Sequence, residues 1–125
     1  MIIEINAQSP SPIYEQLREQ VIMGIAAKKL VPNEALPSVR RLAADLGIHF
    51  HTVNKAYGML CDEGYILMDR RKGAVVAQVL PESAEFLPQL SGRLLLSAAE
   101  AVCRGMDENE FIGLCLECYR ACQSN

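Results

Sequence analysis

The sequence has no run of about 18 uncharged apolar residues, the length needed to span a bilayer. Its opening residues, Met1 to Gln8, lack the basic and apolar regions of a signal peptide. Together these absences predict a soluble, cytoplasmic protein with no membrane partner. There is no glycine-rich loop to cradle phosphates, and no Ser or Cys stands in a recognisable activating motif. Neither an enzyme nor a cofactor is therefore expected. At 125 residues the chain is too short for a (β/α)₈ barrel of about 250 residues. Nor does it accommodate a dinucleotide-binding fold with a substrate domain. Basic charge is in deficit as well, 12 Lys and Arg against 15 Asp and Glu, which at first argues against nucleic acid.

What is present is a core. Half of the residues are hydrophobic and 22% charged, which excludes intrinsic disorder and suits one domain with a helical appendage. Ile2, Ile3 and Ile5 make a short β-prone segment. Ser11, Pro12 and Glu15 then signal a helix start, and Ile13, Leu17, Val21, Ile22 and Ile25 recur at helical spacing. That helix is expected to end near Lys28 and Lys29, followed by an extended connector, Leu30–Pro37, held by two prolines. Ser38 is a good cap for a second helix with Val39, Leu42, Ala43 and Leu46 on its apolar face, stopped at Gly47. Val53, Ala56, Tyr57 and Leu60 define a third stripe, stopped at Gly64. Tyr65–Met68 and Ala74–Val79 read as two strands joined by Asp69–Gly73. Three helices and a basic-tipped hairpin describe a winged helix-turn-helix.

Beyond Pro81 the pattern changes to two amphipathic helices. Leu87, Leu90, Leu94, Leu95, Ala98, Ala101 and Val102 line the first, which Gly105 ends. Asp107 and Glu110 form a capping box, and Phe111, Leu114, Cys115, Cys118, Tyr119 and Cys122 share a face of the second. The fold class is thus mainly α with a small β wing, followed by a two-helix tail. The expected domains are residues 1–80 and 81–125. Splitting the charge at that boundary reverses the first impression. Residues 1–80 hold nine Lys and Arg against eight Asp and Glu; residues 81–125 hold three against seven. The acidity belongs to the tail, and the basic residues of the head cluster at Arg40–Arg41, Lys55 and Arg70–Lys72.

Several spaced blocks of the head resemble the GntR family of bacterial winged-helix transcription regulators. They are Pro12–Leu17, Leu36–Ala43, Leu46–Ile48, Thr52–Val53, Lys55–Tyr57 and Leu60 with Glu63–Tyr65. The N-terminal segment and short tail resemble its YtrA-like branch. The resemblance implies a homodimer, held by the tail, that binds palindromic double-stranded operator DNA as a repressor. An unidentified small-molecule effector is compatible with it. Three departures stand out. Lys29 and Asn33 replace frequent glycines, Arg71 replaces the first glycine of the usual wing pair, and His49-Phe50-His51 opens the recognition helix in place of hydroxyl residues or arginine.

The DNA-binding candidates follow from position and chemistry. Ser38, Arg40 and Arg41 lie at a helix start, where cations oppose the helix dipole and phosphate or guanine contact gives them a purpose. His49, His51, Thr52, Asn54 and Lys55 fall at the recognition helix, Thr52 and Lys55 suiting phosphates and Asn54 a base edge. Arg70, Arg71, Lys72 and Gly73 make a wing tip for a phosphate or minor-groove clamp. Against each stands an ordinary solvated surface. No metal site is expected. Cys103, Cys115, Cys118 and Cys122 are candidates for soft-metal or thiol sensing, yet packing as small hydrophobes at a helical interface explains them more simply. Metal- or thiol-responsive regulation, and a winged helix serving only protein interaction, remain the alternatives.

Overall fold

In the computed structural model, which describes residues 3–123, five helices and a two-stranded antiparallel sheet follow one another along the chain. Helix α1 spans Ile13–Ala26, α2 Val39–Leu46 and α3 Phe50–Glu63. Strands β1 (Ile66–Asp69) and β2 (Gly73–Val76) form the wing, and α4 (Phe86–Cys103) and α5 (Glu108–Gln123) follow. The chain divides into two compact units, one ending at Leu80 and the other beginning at Pro81. The first is a winged helix-turn-helix, so the mainly helical fold with a β wing is as the patterning predicts.

The apolar stripes converge on one core. Leu17 and Val21 of α1, Leu42 and Ala43 of α2, and Val53, Ala56, Tyr57 and Leu60 of α3 are buried together. Ile66, Ala74 and Val76 of the wing and Leu30 and Leu36 of the connector complete it. Ile13, Ile22, Ile25, Val39 and Leu46 pack half-buried around its rim. The Arg18 guanidinium ties α1 to the end of α3 through Glu63, Nε to Oε2 2.8 Å.

The connector does more than span. The N–H groups of Asn33 and Leu36 donate to the carbonyls of Val76 and Ala74 at 2.9 and 2.8 Å, and the Val76 N–H donates to Glu34 at 2.9 Å. β2 is thereby covered on both edges, which explains why Ala74, Val75 and Val76 are all buried while β1 exposes Leu67, Met68 and Asp69. The second strand stops at Val76, short of the expected Val79, where its ladder with β1 ends at Ile66; one further bond runs from the Ala77 N–H to the Tyr65 carbonyl at 3.0 Å.

Three local expectations are corrected. Residues 3–6 form no strand; Ile2 lies outside the described residues. Two glutamines of α1 take the place of a pairing strand. Gln16 accepts from the Asn6 N–H at 2.9 Å and donates to its carbonyl at 3.0 Å, and Gln20 grips Glu4 the same way. Ile3 and Ile5 still pack against the core. Pro12, not Ser11, occupies the α1 cap position, and the Ser11 hydroxyl instead donates to Glu15 at 3.5 Å. α1 ends at Ala26 rather than near the lysines. Lys28 follows in the left-handed region at φ 62°, and Asn33 adopts it too at φ 67°.

The second unit is two helices with no buried residue in either. Pro88 is tolerated in the first turn of α4, where its missing N–H is not needed. The Asp107 carboxylate accepts from the Glu110 N–H at 2.9 Å, and the Asp107 N–H donates back to Glu110 at 3.4 Å. This is the expected capping box. No helix among the described residues is long and apolar enough to cross a membrane.

Candidate nucleic-acid interface

Three elements carry the basic side chains. On α2, the Ser38 hydroxyl accepts from the Arg41 N–H at 3.1 Å, with Ser38 in extended conformation as a helix cap requires. That bond fixes the first turn and with it Arg40 and Arg41, both exposed. The Arg41 Nε lies 3.8 Å from Asp45 on the same helix. Both side chains are well over half exposed, so water screens the pair and the guanidinium keeps its charge for a partner.

Gly47, at φ 65°, lets the chain turn within a few residues from α2 into α3. His49, Phe50 and His51 open α3, all exposed, with Asn54 and Lys55 exposed beyond them and Thr52 half-buried. Val53, Ala56, Tyr57 and Leu60 hold the opposite side in the core. Tyr57 is a core residue with a polar anchor: its hydroxyl donates to the Pro37 carbonyl at 2.7 Å, which locks α3 to the connector just before α2. Burial pushes its phenol up to about 12.

Two aromatic rings hold two of the cations, and neither ring was among the candidates. The Arg40 guanidinium lies 5.2 Å from the Phe50 ring centroid, and the Phe50 and His51 rings meet edge-on at 5.6 Å. The Lys55 ammonium lies 3.9 Å from the centroid of Tyr14 on α1. Such cation–π contacts hold long side chains in place without cancelling their charge. The available signal was an aromatic residue at a helix start between two histidines, on the rim of the apolar stripe.

The wing tip is built by Asp69. Its carboxylate accepts from the N–H groups of Arg71 at 2.7 Å and Lys72 at 3.0 Å, and these bonds hold its carboxyl below the usual carboxylate range. Gly73, at φ 76°, closes the three-residue loop opposite Asp69. Arg71 keeps negative φ, so replacing a glycine with it introduces no backbone strain. Arg70, Arg71 and Lys72 are exposed around this tip. Among the described residues the ion pairs are Arg18–Glu63 and Arg41–Asp45, so Arg40, Lys55, Arg70, Arg71 and Lys72 form no ion pair, although the Lys72 charge is felt by Asp69.

The cysteines behave differently. Cys61 is half-buried on α3, where burial and then Asp62 push its thiol up and favour the unreactive form. Cys103, Cys115, Cys118 and Cys122 are exposed, so the packing role expected for them is not met within one chain. No group of three or more His, Cys, Asp or Glu able to hold a metal ion occurs among the described residues.

Comparison with known proteins adds the family context. Residues 13–76 match the family described as bacterial regulatory proteins, gntR family. The uncharacterised helix-turn-helix regulator YhcF of Bacillus subtilis is 30% identical over 101 residues, 81% of this chain and 80% of that one. A transcriptional antiterminator from Listeria monocytogenes superposes with a TM-score of 0.92 at 25% identity, over all of this chain and 95% of its own. The GntR-family transcription factor YtrA from Sulfolobus acidocaldarius gives 0.62 at 38% identity, over 78% of this chain and 99% of its own. AraR(DBD), solved in complex with operator ORX1, gives 0.54 at 29% identity, over 60% of this chain and 96% of its own. These proteins are regulators rather than enzymes. The chain belongs to the GntR family, as a DNA-binding transcriptional regulator of YtrA-like type.

Proposed function

We infer that the chain is a cytoplasmic repressor that binds a palindromic operator as a homodimer. The observation that carries this is the set of exposed cations on α2, α3 and the wing tip, of which Arg41 alone is in an ion pair among the described residues. Arg40 reads a base edge from the start of α2, and Ser38 and Arg41 face phosphate at the same helix end. His49, His51 and Asn54 meet the major groove along α3, while Thr52 and Lys55 hold phosphates. Arg70, Arg71 and Lys72 clamp the backbone or minor groove, with Gly73 letting the tip come close.

The tail supports the dimer. Leu95 and Val102 of α4 are each 73% exposed, and Leu87, Ile112, Leu116 and Tyr119 also face outward. An apolar surface of this kind marks a protein interface. A second copy of the chain is the partner that a two-fold operator calls for. The excess of acid in the tail keeps it off the DNA. A thiol- or metal-responsive version of the same regulator rests on one observation, the four exposed tail cysteines. Metal content and thiol titration of freshly purified protein test it, and it fails if no metal is bound and neither metal nor oxidant alters DNA affinity.

Selection of duplexes from a random pool tests the main reading. Recovery of two inverted half-sites about 10 bp apart, or a multiple of that, is expected. Retention of no duplex above background would leave the winged helix as a protein-interaction module.

A further inference from the structure

Phe50 stands at the first position of α3, where the resemblance leads one to expect arginine or a small hydroxyl residue. It is 39% exposed, although a phenylalanine without a role outside the core gains by burial. Asn54 lies four residues on, so the two share one exposed strip of the helix. The ring has two neighbours, the Arg40 guanidinium at 5.2 Å and the His51 ring, met edge-on at 5.6 Å. Arg40 itself sits near the positive end of α2, where the dipole disfavours it. The Phe50 ring offsets this by placing its π face under the guanidinium.

We propose that Phe50 is a specificity-determining residue that packs against a thymine methyl group in each half-site and positions Arg40 for an adjacent guanine. The major groove offers one apolar feature, the C5 methyl of thymine, and an aromatic side chain is suited to it. The guanine edge takes a guanidinium through O6 and N7. A ring stacked beside a guanidinium therefore presents to two neighbouring base pairs the two chemistries that tell them apart. The inference rests on the DNA-binding reading above and goes beyond it by assigning bases.

The test uses the full chain and the operator recovered by selection. Each thymine is replaced in turn by uracil, which deletes only the methyl group. At one thymine per half-site, wild-type affinity should fall about fourfold for one replacement and about fifteenfold for both. The variant Phe50→Ala should show no such penalty and a weaker preference for guanine beside it. Phe50→Leu should keep the uracil penalty, because an aliphatic side chain still covers a methyl, while the guanine preference relaxes as in Phe50→Ala. An operator indifferent to uracil at every thymine overturns the proposal, as does an undiminished penalty in Phe50→Ala. If no operator is recovered at all, the DNA-binding reading fails and this assignment falls with it.

Discussion

Tyr57 combines burial with a single polar anchor, so its removal has a defined cost. Tyr57→Phe leaves the Pro37 carbonyl without its donor and should lower stability by about 1 kcal/mol in denaturant titration. The phenol also sets a high-pH limit. Its folded value of about 12 lies above the unfolded value near 10. Between the two, the unfolded chain has lost a proton that the folded chain retains. Stability contributed by this group is therefore intact below pH 10 and falls as pH rises toward 12. Tyr57→Phe should show a shallower decline across that window. Lys28 has the opposite potential. Exposed and held at φ 62°, it carries left-handed strain of about 1–2 kcal/mol. Lys28→Gly should raise stability by about 0.5–1 kcal/mol once glycine's entropy is deducted. A lowered denaturation midpoint would show that the strain is absent.

At the scale of elements, two short polar devices aim the basic groups. Ser38→Ala removes the cap of α2 and should cost about 1 kcal/mol. Operator affinity should fall further than that loss implies, since Arg40 and Arg41 ride on the turn released. Asp69→Ala should leave the melting transition nearly unchanged, because Asp69 is exposed, yet weaken binding to all sequences alike through a loosened wing. Sequence-selective loss would contradict that.

The helices were legible because their stripes are local and periodic: Val53, Ala56, Tyr57 and Leu60 announce a buried face, and all four are buried. The glycine stops at 47 and 64 were equally legible, since positive φ is a demand that glycine meets. The segment around Ile3 and Ile5 misled because its β propensity is real, while its backbone partners are side chains of Gln16 and Gln20. Propensity carries no information about such partners. The pairing of the connector with β2, and of Arg40 with Phe50, depends on contacts with no periodic signature. For the site, residue type and position were enough to nominate the cations. That rings hold Arg40 and Lys55 emerged from tertiary packing, although Phe50 between two histidines was a signal in the sequence.

At the scale of the whole molecule, charge and apolar surface divide the labour. The head carries nine of the twelve Lys and Arg residues, and the tail carries the acidic excess with most of the exposed leucines. Burying a carboxylate in the apolar tail surface should separate the copies. On the proposed tail-held homodimer, Leu95→Glu is expected to sediment as a monomer and to bind operator at least tenfold more weakly, because the second half-site contact would cease to be intramolecular. The central claim is that paired basic heads bind duplex DNA through phosphate neutralisation and read it from α2 and α3. Its most direct measurement is operator affinity against salt concentration for the wild type and Arg71→Ala. A wild-type plot of log K against log salt should be steep, and Arg71→Ala, which on the proposed surface removes one phosphate contact per subunit of the proposed dimer, should reduce the slope by about 2. Binding that is insensitive to salt, or a slope unchanged by Arg71→Ala, would contradict the account.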